Sequence, residues 1–255
     1  MQLKQIGSYH DEATGLEGVK RLALTDEDAE ARRLVISWMT KAGMEVRIDQ
    51  IGNVYATLPG TDRTLPCVLM GSHIDTVATG GAFDGTLGVF GAIEVVRTLN
   101  ENHVTTLRDI EVGFFTEEEG VRFGTDMVGS AVTASRITLD DAHALTDDDG
   151  HTVADELVRT GFDGPAHHRR PIPHAYIECH IEQGPILAGA GVDVGVVAGV
   201  QSISLAAPHR PWGSSARRHH PKLNIGTTPG LSRPKSSSSF GGCATAAPTA
   251  PSERP

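Results

Sequence analysis

His73 and Asp75 stand two residues apart in the stretch M-G-S-H-I-D-T-V-A-T-G-G-A-F-D-G-T-L-G, Met70 to Gly88, and Asp84 follows within the same glycine-rich segment. Glu117-Glu118-Glu119 and His180 lie further along the chain. Imidazole and carboxylate are the ligand types that zinc, manganese and cobalt accept. Two neutral imidazoles and two carboxylates can hold a pair of divalent cations, and Asp84 can bridge because a carboxylate has an oxygen for each. Such a pair, about 3.5–4 Å apart, clamps a water and lowers its pKa toward ~7. Adjacent glutamates can divide the labour, one as ligand and one as general base. Asp75 can accept the free N–H of the His73 imidazole, fixing its tautomer. Taken singly, each piece has a plainer reading: a polar surface loop, a solvated acidic face, a hydrogen-bonded structural histidine.

The elements around these residues favour convergence. Cys67–Gly71 is a fully apolar strand of the kind buried on both faces, and it ends in His73. Ile110–Thr116 is a second such strand, ending in the glutamates. Ala175–Cys179 is a third, ending in His180. Leu87–Leu99 is a helix of small and apolar residues suited to packing on a sheet. Thr25-Asp26-Glu27-Asp28 is a capping box. It opens an amphipathic helix through Ala31, Leu34, Val35, Trp38 and Met39 that stops near Ala42-Gly43. Glu45–Asp49 and Asn53–Leu58 alternate as strands, Val153–Gly161 reads as a short helix, and Val192–Val200 is strand-like. Residues 1–24 carry no clear periodicity. Strands alternating with helices predict an α/β fold, a three-layer arrangement around a mainly parallel sheet. In such a sheet the carboxyl ends of the strands lie on one edge, where side chains converge.

The chain has 255 residues, enough for one large α/β domain, and a formal net charge of -10, which argues against nucleic acid or an anionic membrane as partner. No apolar run is long enough to span a bilayer and no signal-peptide core is present, so the expected location is the cytoplasm. Cys67 and Cys179 fall in predicted buried strands and read as reduced core residues. The charge is uneven. Residues 201–255 hold seven Lys and Arg against one acid, with eight of the 14 prolines and the run Ser236–Ser239. Apolar periodicity stops near Leu205.

G-S-H-I-D-T-V-x-x-G-G-x-F-D-G-x-L-G-V, F-x-T-E-E-E-G-V-R-F and H-I-E-Q-G-P-I-L together resemble the amidase, hydantoinase/carbamoylase family of binuclear-metal amidohydrolases, relatives of the acylases and metallo-carboxypeptidases. R-L-A-L-T-D-E-D and I-G-N-V-Y-A fit as well, so the likeness covers roughly residues 7–204. It implies a zinc-exopeptidase-like catalytic domain holding two divalent metal ions (Zn2+, Mn2+ or Co2+). By the resemblance His73 is a ligand of one metal, Asp84 the bridging ligand, and Glu119 and His180 further ligands. Glu118 falls on the general base, Asp75 on the residue that orients His73, and Gln183 on a substrate contact. The implied reaction is hydrolysis of a linear amide or ureido C–N bond, of the N-carbamoyl-amino acid or allantoate type. Glu118 would take the proton of the attacking water. An acylase or dipeptidase of the same clan, or a non-catalytic metal-binding or interaction protein, is the alternative.

The resemblance also implies a lid and dimerisation domain beyond this point and a last His ligand, neither of which residues 205–255 supply, so the chain is expected to be the N-terminal portion and at best weakly active. Codons displaced by one base after Ser204 can be chosen so that Leu205-Ala206 contains Trp and Ala216–Pro221 reads His-Ala-Gly-Thr-Thr, as the family does there. Residues 1–204 are therefore expected to be a partial catalytic domain and 205–255 an out-of-frame, disordered tail.

Overall fold

The computed structural model describes residues 2–12 and 14–199. The expectations about 205–255 lie outside them. One compact unit ends at Gly191. Its helices are α1 (Gln2–Gln5), α2 (Asp26–Lys41), α3 (Thr86–Glu101), α4 (Val128–Thr133), α5 (Leu139–His143), α6 (Val153–Thr160) and α7 (Ile186–Ala190). Its strands are β1 (Ser8–Asp11), β2 (Leu16–Val19), β3 (Glu45–Ile48), β4 (Val54–Leu58), β5 (Val68–His73), β6 (Ile110–Phe115) and β7 (Ala175–Ile177).

A five-stranded sheet runs in the order β3-β4-β6-β5-β7, and β1-β2 form a separate hairpin. The α/β architecture expected from the sequence is present. The sheet is mixed: β5 pairs in parallel with both β6 and β7, whereas β3-β4 and β4-β6 are antiparallel. The expected parallel character therefore holds on the half that carries the chemistry. The strand ends at His73, Phe115 and Ile177 all face one edge.

Helix α2 starts where the capping box places it: the Thr25 hydroxyl accepts from the Asp28 N–H at 3.3 Å. Asp28 reaches back one residue further than a capping box does, to the Leu24 N–H at 2.8 Å, and also pairs with Arg32 at 2.7 Å. Ala31, Val35 and Met39 of α2 and Val89, Ala92 and Val96 of α3 bury against Val54, Ala56, Val112 and Phe114 of the sheet. Trp38 of α2 meets Phe90 of α3 edge-on at 5.5 Å, so both helices cover the same face. Removing this apolar surface from water supplies the main drive for the fold.

The other face carries Tyr55, with the Arg47 and Arg170 guanidinium groups 4.3 and 4.6 Å from its ring centroid. Glu111 pairs with both arginines. The third layer is thus, among the described residues, irregular chain and the short helix α4, whose Thr133 reaches the Tyr55 hydroxyl at 3.2 Å.

Three expectations are corrected. Cys179 is exposed and lies past the end of β7, so it is not a core residue, and Cys67 is half-buried. The run 192–199 forms no strand; Val194, Val196 and Val197 are exposed. A strand needs a paired neighbour, and none meets it among the described residues. The β1-β2 hairpin is unmarked by periodicity: its only buried residue is Val19, and Leu16 is exposed.

Candidate metal centre

His73 closes β5 with its side chain 1% exposed. Its Nδ1 lies 3.0 Å from the backbone carbonyl of Asp75. A carbonyl only accepts, so Nδ1 carries the hydrogen and Nε2 keeps its lone pair. That Nε2 faces Asp84 Oδ1 at 3.8 Å and Glu118 Oε2 at 3.4 Å. Gly85 makes room for the ring: at φ +62°, a Cβ there would stand 2.5 Å from three imidazole atoms. Burial alone would lower the His73 pKa, but the carboxylates of Asp75, Glu118 and Glu119 outweigh it and raise it.

The role read for Asp75 is corrected in its detail. Its carboxylate is 3.7 Å from His73 Nδ1, and the Asp75 carbonyl holds the imidazole instead. Asp75 Oδ2 accepts from the backbone N–H groups of Glu118 and Glu119 at 3.1 and 3.2 Å. The residue thus ties the end of β5 to the end of β6.

The glutamate segment is fixed along its whole backbone. The Thr116 N–H donates to Asn53 Oδ1 at 3.0 Å, and the carbonyls of Thr116, Glu117 and Glu118 accept from Gly129, Val128 and Met127 at 2.8, 3.0 and 2.9 Å. Asn53 reaches Asp49, Gly129 and Thr133 with its amide nitrogen, which explains the Ile51-Gly52-Asn53 break between β3 and β4. Buried Arg32 adds the Thr116 hydroxyl at 3.2 Å and the Gly52 carbonyl at 2.7 Å. With the backbone held, the Glu118 and Glu119 side chains are directed by the loop. Burial raises the pKa of both, Glu119 to about 7, against the opposing field of His73.

Glu117, which the sequence left without a role, is buried at φ +50° and accepts from the Arg122 and Phe123 N–H groups at 3.1 and 2.9 Å. Burial and the neighbouring Asp75 push its pKa to about 8. It closes the loop and does not face His73. Residue type alone does not separate it from the other two glutamates; its inward turn depends on the positive φ.

His180 comes in from β7. Its Nδ1 donates to the Ile181 carbonyl at 2.8 Å, and its Nε2, the atom that a cation would need once the Nε2 proton has left, stands 3.2 Å from Asp84 Oδ1. The contact with Asp84 lifts the His180 pKa to about 9. Gln183 Nε2 donates to the other Asp84 oxygen, Oδ2, at 2.5 Å. Burial would raise the Asp84 pKa, but these two partners outweigh it and lower it.

Two trios therefore form, His73-Asp84-His180 and His73-Glu118-Glu119, each with its ligand atoms within 4.8 Å of one another. They share His73. The Asp84 oxygen that a bridge would offer to a second cation is taken by Gln183. The donor set fits a divalent cation. Asp75 Oδ1, Asp84 Oδ1 and Glu119 Oε1 are buried without a hydrogen-bond partner. The Nε2 atoms of both imidazoles also face the Asp84 oxygen. Such an arrangement is costly unless a proton or a cation lies between.

Parallel strand ends that bring two imidazoles and several carboxylates to one sheet edge define an α/β protein with a His/carboxylate cluster able to hold a cation. The chain belongs to the peptidase family M20/M25/M40, whose profile matches residues 69–249. It is 44% identical to an N-carbamoyl-L-amino-acid amidohydrolase of Rhizobium meliloti over 73% of this chain and 45% of that protein. It is 40% identical to an N-carbamoyl-L-amino acid amidohydrolase of Geobacillus stearothermophilus over 79% of this chain and 50% of that one. The crystal structure of an amidase of the hydantoinase/carbamoylase family from Burkholderia multivorans superposes with a TM-score of 0.71 at 41% identity, covering 75% of this chain and 45% of that chain. The resemblance drawn from the motifs is borne out. The chain spans about half the length of the curated relatives it matches. Among the described residues, no helix is long and apolar enough to cross a membrane.

Proposed function

We propose that residues 1–204 are the cation-binding part of a hydrolase that cuts a linear amide or ureido C–N bond, of the N-carbamoyl-amino acid or allantoate type. One observation carries the reading: the Nε2 atoms of His73 and His180 both face the same buried Asp84 oxygen, at 3.8 and 3.2 Å, with Glu118 3.4 Å from His73. His73, Asp84 and His180 would hold one divalent cation, and Glu119 would serve a second. Zinc, manganese or cobalt suits these ligands. When bound, such cations polarise a carbonyl and acidify a water.

The chain's own residues do the rest. The raised pKa of Glu118 suits a base that takes a proton near neutral pH and returns it. Glu118 removes the proton as water adds to the carbonyl carbon. It delivers that proton to the leaving nitrogen as the C–N bond breaks. Asp75 holds Glu118 in place through its backbone N–H. Gln183, on Asp84, is at the edge of the site where a substrate would enter. The substrate is a small ureido or N-carbamoyl molecule.

The test is ammonia release from N-carbamoyl-L-amino acids by the metal-loaded chain and by Glu118→Gln. Turnover that depends on Glu118 supports the reading. Cation binding with no Glu118-dependent turnover supports either a non-catalytic metal-binding protein or simple truncation of the hydrolase. We also propose that residues 205–255 are read out of frame, on their reversed charge and proline excess. Resequencing the coding DNA from Val200 onward decides this: an intact single frame refutes it.

A further inference from the structure

The backbone pairing that should carry His180 to Asp84 stops short. β7 pairs with β5 at Val68–Ala175, Leu69–Tyr176 and Met70–Ile177, and no further. His180 lies three residues past the last pair, yet its Nε2 is 3.2 Å from Asp84 Oδ1. Something other than the sheet must hold the intervening chain against β5.

Side chains do so. Glu178 Oε1 accepts from the Ser72 hydroxyl at 2.5 Å, and Oε2 accepts from the Tyr176 hydroxyl at 2.7 Å. Ser72 is 2% exposed and directly precedes His73. The Tyr176 hydroxyl also lies 3.4 Å from the Gly71 carbonyl. One carboxylate therefore joins Ser72, the penultimate residue of β5, to the chain between β7 and His180. The next residue, Cys179, is drawn close over the start of α3: a Cβ on Gly88 would stand 2.7 Å from the Cys179 carbonyl oxygen and 2.8 Å from Ser72 Cβ.

We infer that Glu178, clamped by Ser72 and Tyr176, is a positioning residue that delivers His180 to the cation centre in place of strand pairing. This rests on the reading of His73, Asp84 and His180 as cation ligands. Glu178 is not itself a ligand: both its oxygens are engaged by hydroxyl groups. The energy involved is that of two hydrogen bonds to a charged acceptor. Outer residues that orient a ligand in this way typically change metal affinity by about 10–100-fold.

The experiment is a Co2+ titration of the full chain, followed by its visible d–d spectrum, which reports the ligands. Wild type, Glu178→Ala, His180→Ala and the double variant are compared, with Tyr176→Phe as a milder change that keeps the ring. Retained thermal unfolding transitions establish that each variant folds. Glu178→Ala is expected to weaken Co2+ binding about tenfold and to give the spectrum of His180→Ala. The double variant should bind no more weakly than His180→Ala, because the two residues act as one unit. Tyr176→Phe should fall between wild type and Glu178→Ala. Unchanged affinity in Glu178→Ala, or a double variant in which the two losses add, overturns the inference while leaving the cation centre intact. A wild-type chain that binds no Co2+ overturns the cation centre itself, and the inference with it.

Discussion

Asp75 shows how far residue type alone carries the reading. A His-x-Asp spacing in a strand-end loop reads by itself as a polar loop, and only the downstream glutamates and His180 turn it into a candidate site. Which oxygen meets the imidazole is decided by the turn after β5, and the carbonyl wins over the carboxylate. The consequence is testable. Asp75→Asn leaves the His73 tautomer unchanged, so 15N NMR of the imidazole should report hydrogen on Nδ1 in both proteins. A shift of the hydrogen to Nε2 in the variant would show that the carboxylate holds the ring after all. Asp75→Ala should instead loosen the Glu118–Glu119 backbone and destabilise the chain by roughly 1–3 kcal/mol, the usual cost of stranding buried N–H groups. His73, Glu118, Glu119 and His180 were legible because imidazoles and carboxylates follow apolar strands, whereas Asp84 and Gln183 were marked by the motifs around them. The inward turn of Glu117 and the clamp on Glu178 were not, since each depends on a backbone angle or on the place where a pairing stops.

At the scale of elements, α2, α3, β5 and β6 could be read because each carries a long, clean apolar period ending at a cap or a loop. α4 and α5 could not: six and five residues respectively are too few to show one. α4 nonetheless matters, because the Val128 and Gly129 N–H groups of its first turn donate to the Glu117 and Thr116 carbonyls, and Asn53 donates to the Gly129 carbonyl. Asn53→Ala removes the acceptor for the Thr116 N–H and the donor to the Gly129 carbonyl, both buried. The expected cost is roughly 2–4 kcal/mol in chemical denaturation, together with faster hydrogen exchange at Glu118 and Glu119. Exchange at those amides that matches wild type would mean that Asn53 does not hold the segment. Gly85→Ala should be worse for the site than for the fold, since the added Cβ strikes the His73 ring at a backbone angle alanine adopts with difficulty.

For the molecule as a whole, the alternation of strands and helices set the α/β class, and the parallel half of the sheet placed three strand ends on one edge. The strand order and the antiparallel half were not legible, because periodicity does not say which strands neighbour each other. The same packing has a pH signature. Burial lifts the Asp49 pKa from 3.8 to about 6, against hydrogen bonds from Asn53 and Ile51 and the field of Arg47. A carboxyl raised in the folded state favours folding when protonated. Its contribution is full below about pH 3.8 and is lost as pH rises to about 6. The loss is on the order of 3 kcal/mol. Asp49→Asn cannot ionise, so the stability difference between it and wild type should move by that amount, in favour of the variant, between pH 4 and pH 7. A difference that stays constant across this range would show that Asp49 titrates normally.

The central claim is that His73, Asp84 and His180 meet around one cation. The direct measurement is an anomalous-scattering map from crystals of the zinc-loaded chain. The account predicts a peak ~2.0–2.2 Å from His73 Nε2, His180 Nε2 and an Asp84 oxygen. A peak at other residues, a peak on Nδ1 of either imidazole, or none at saturating zinc would contradict it.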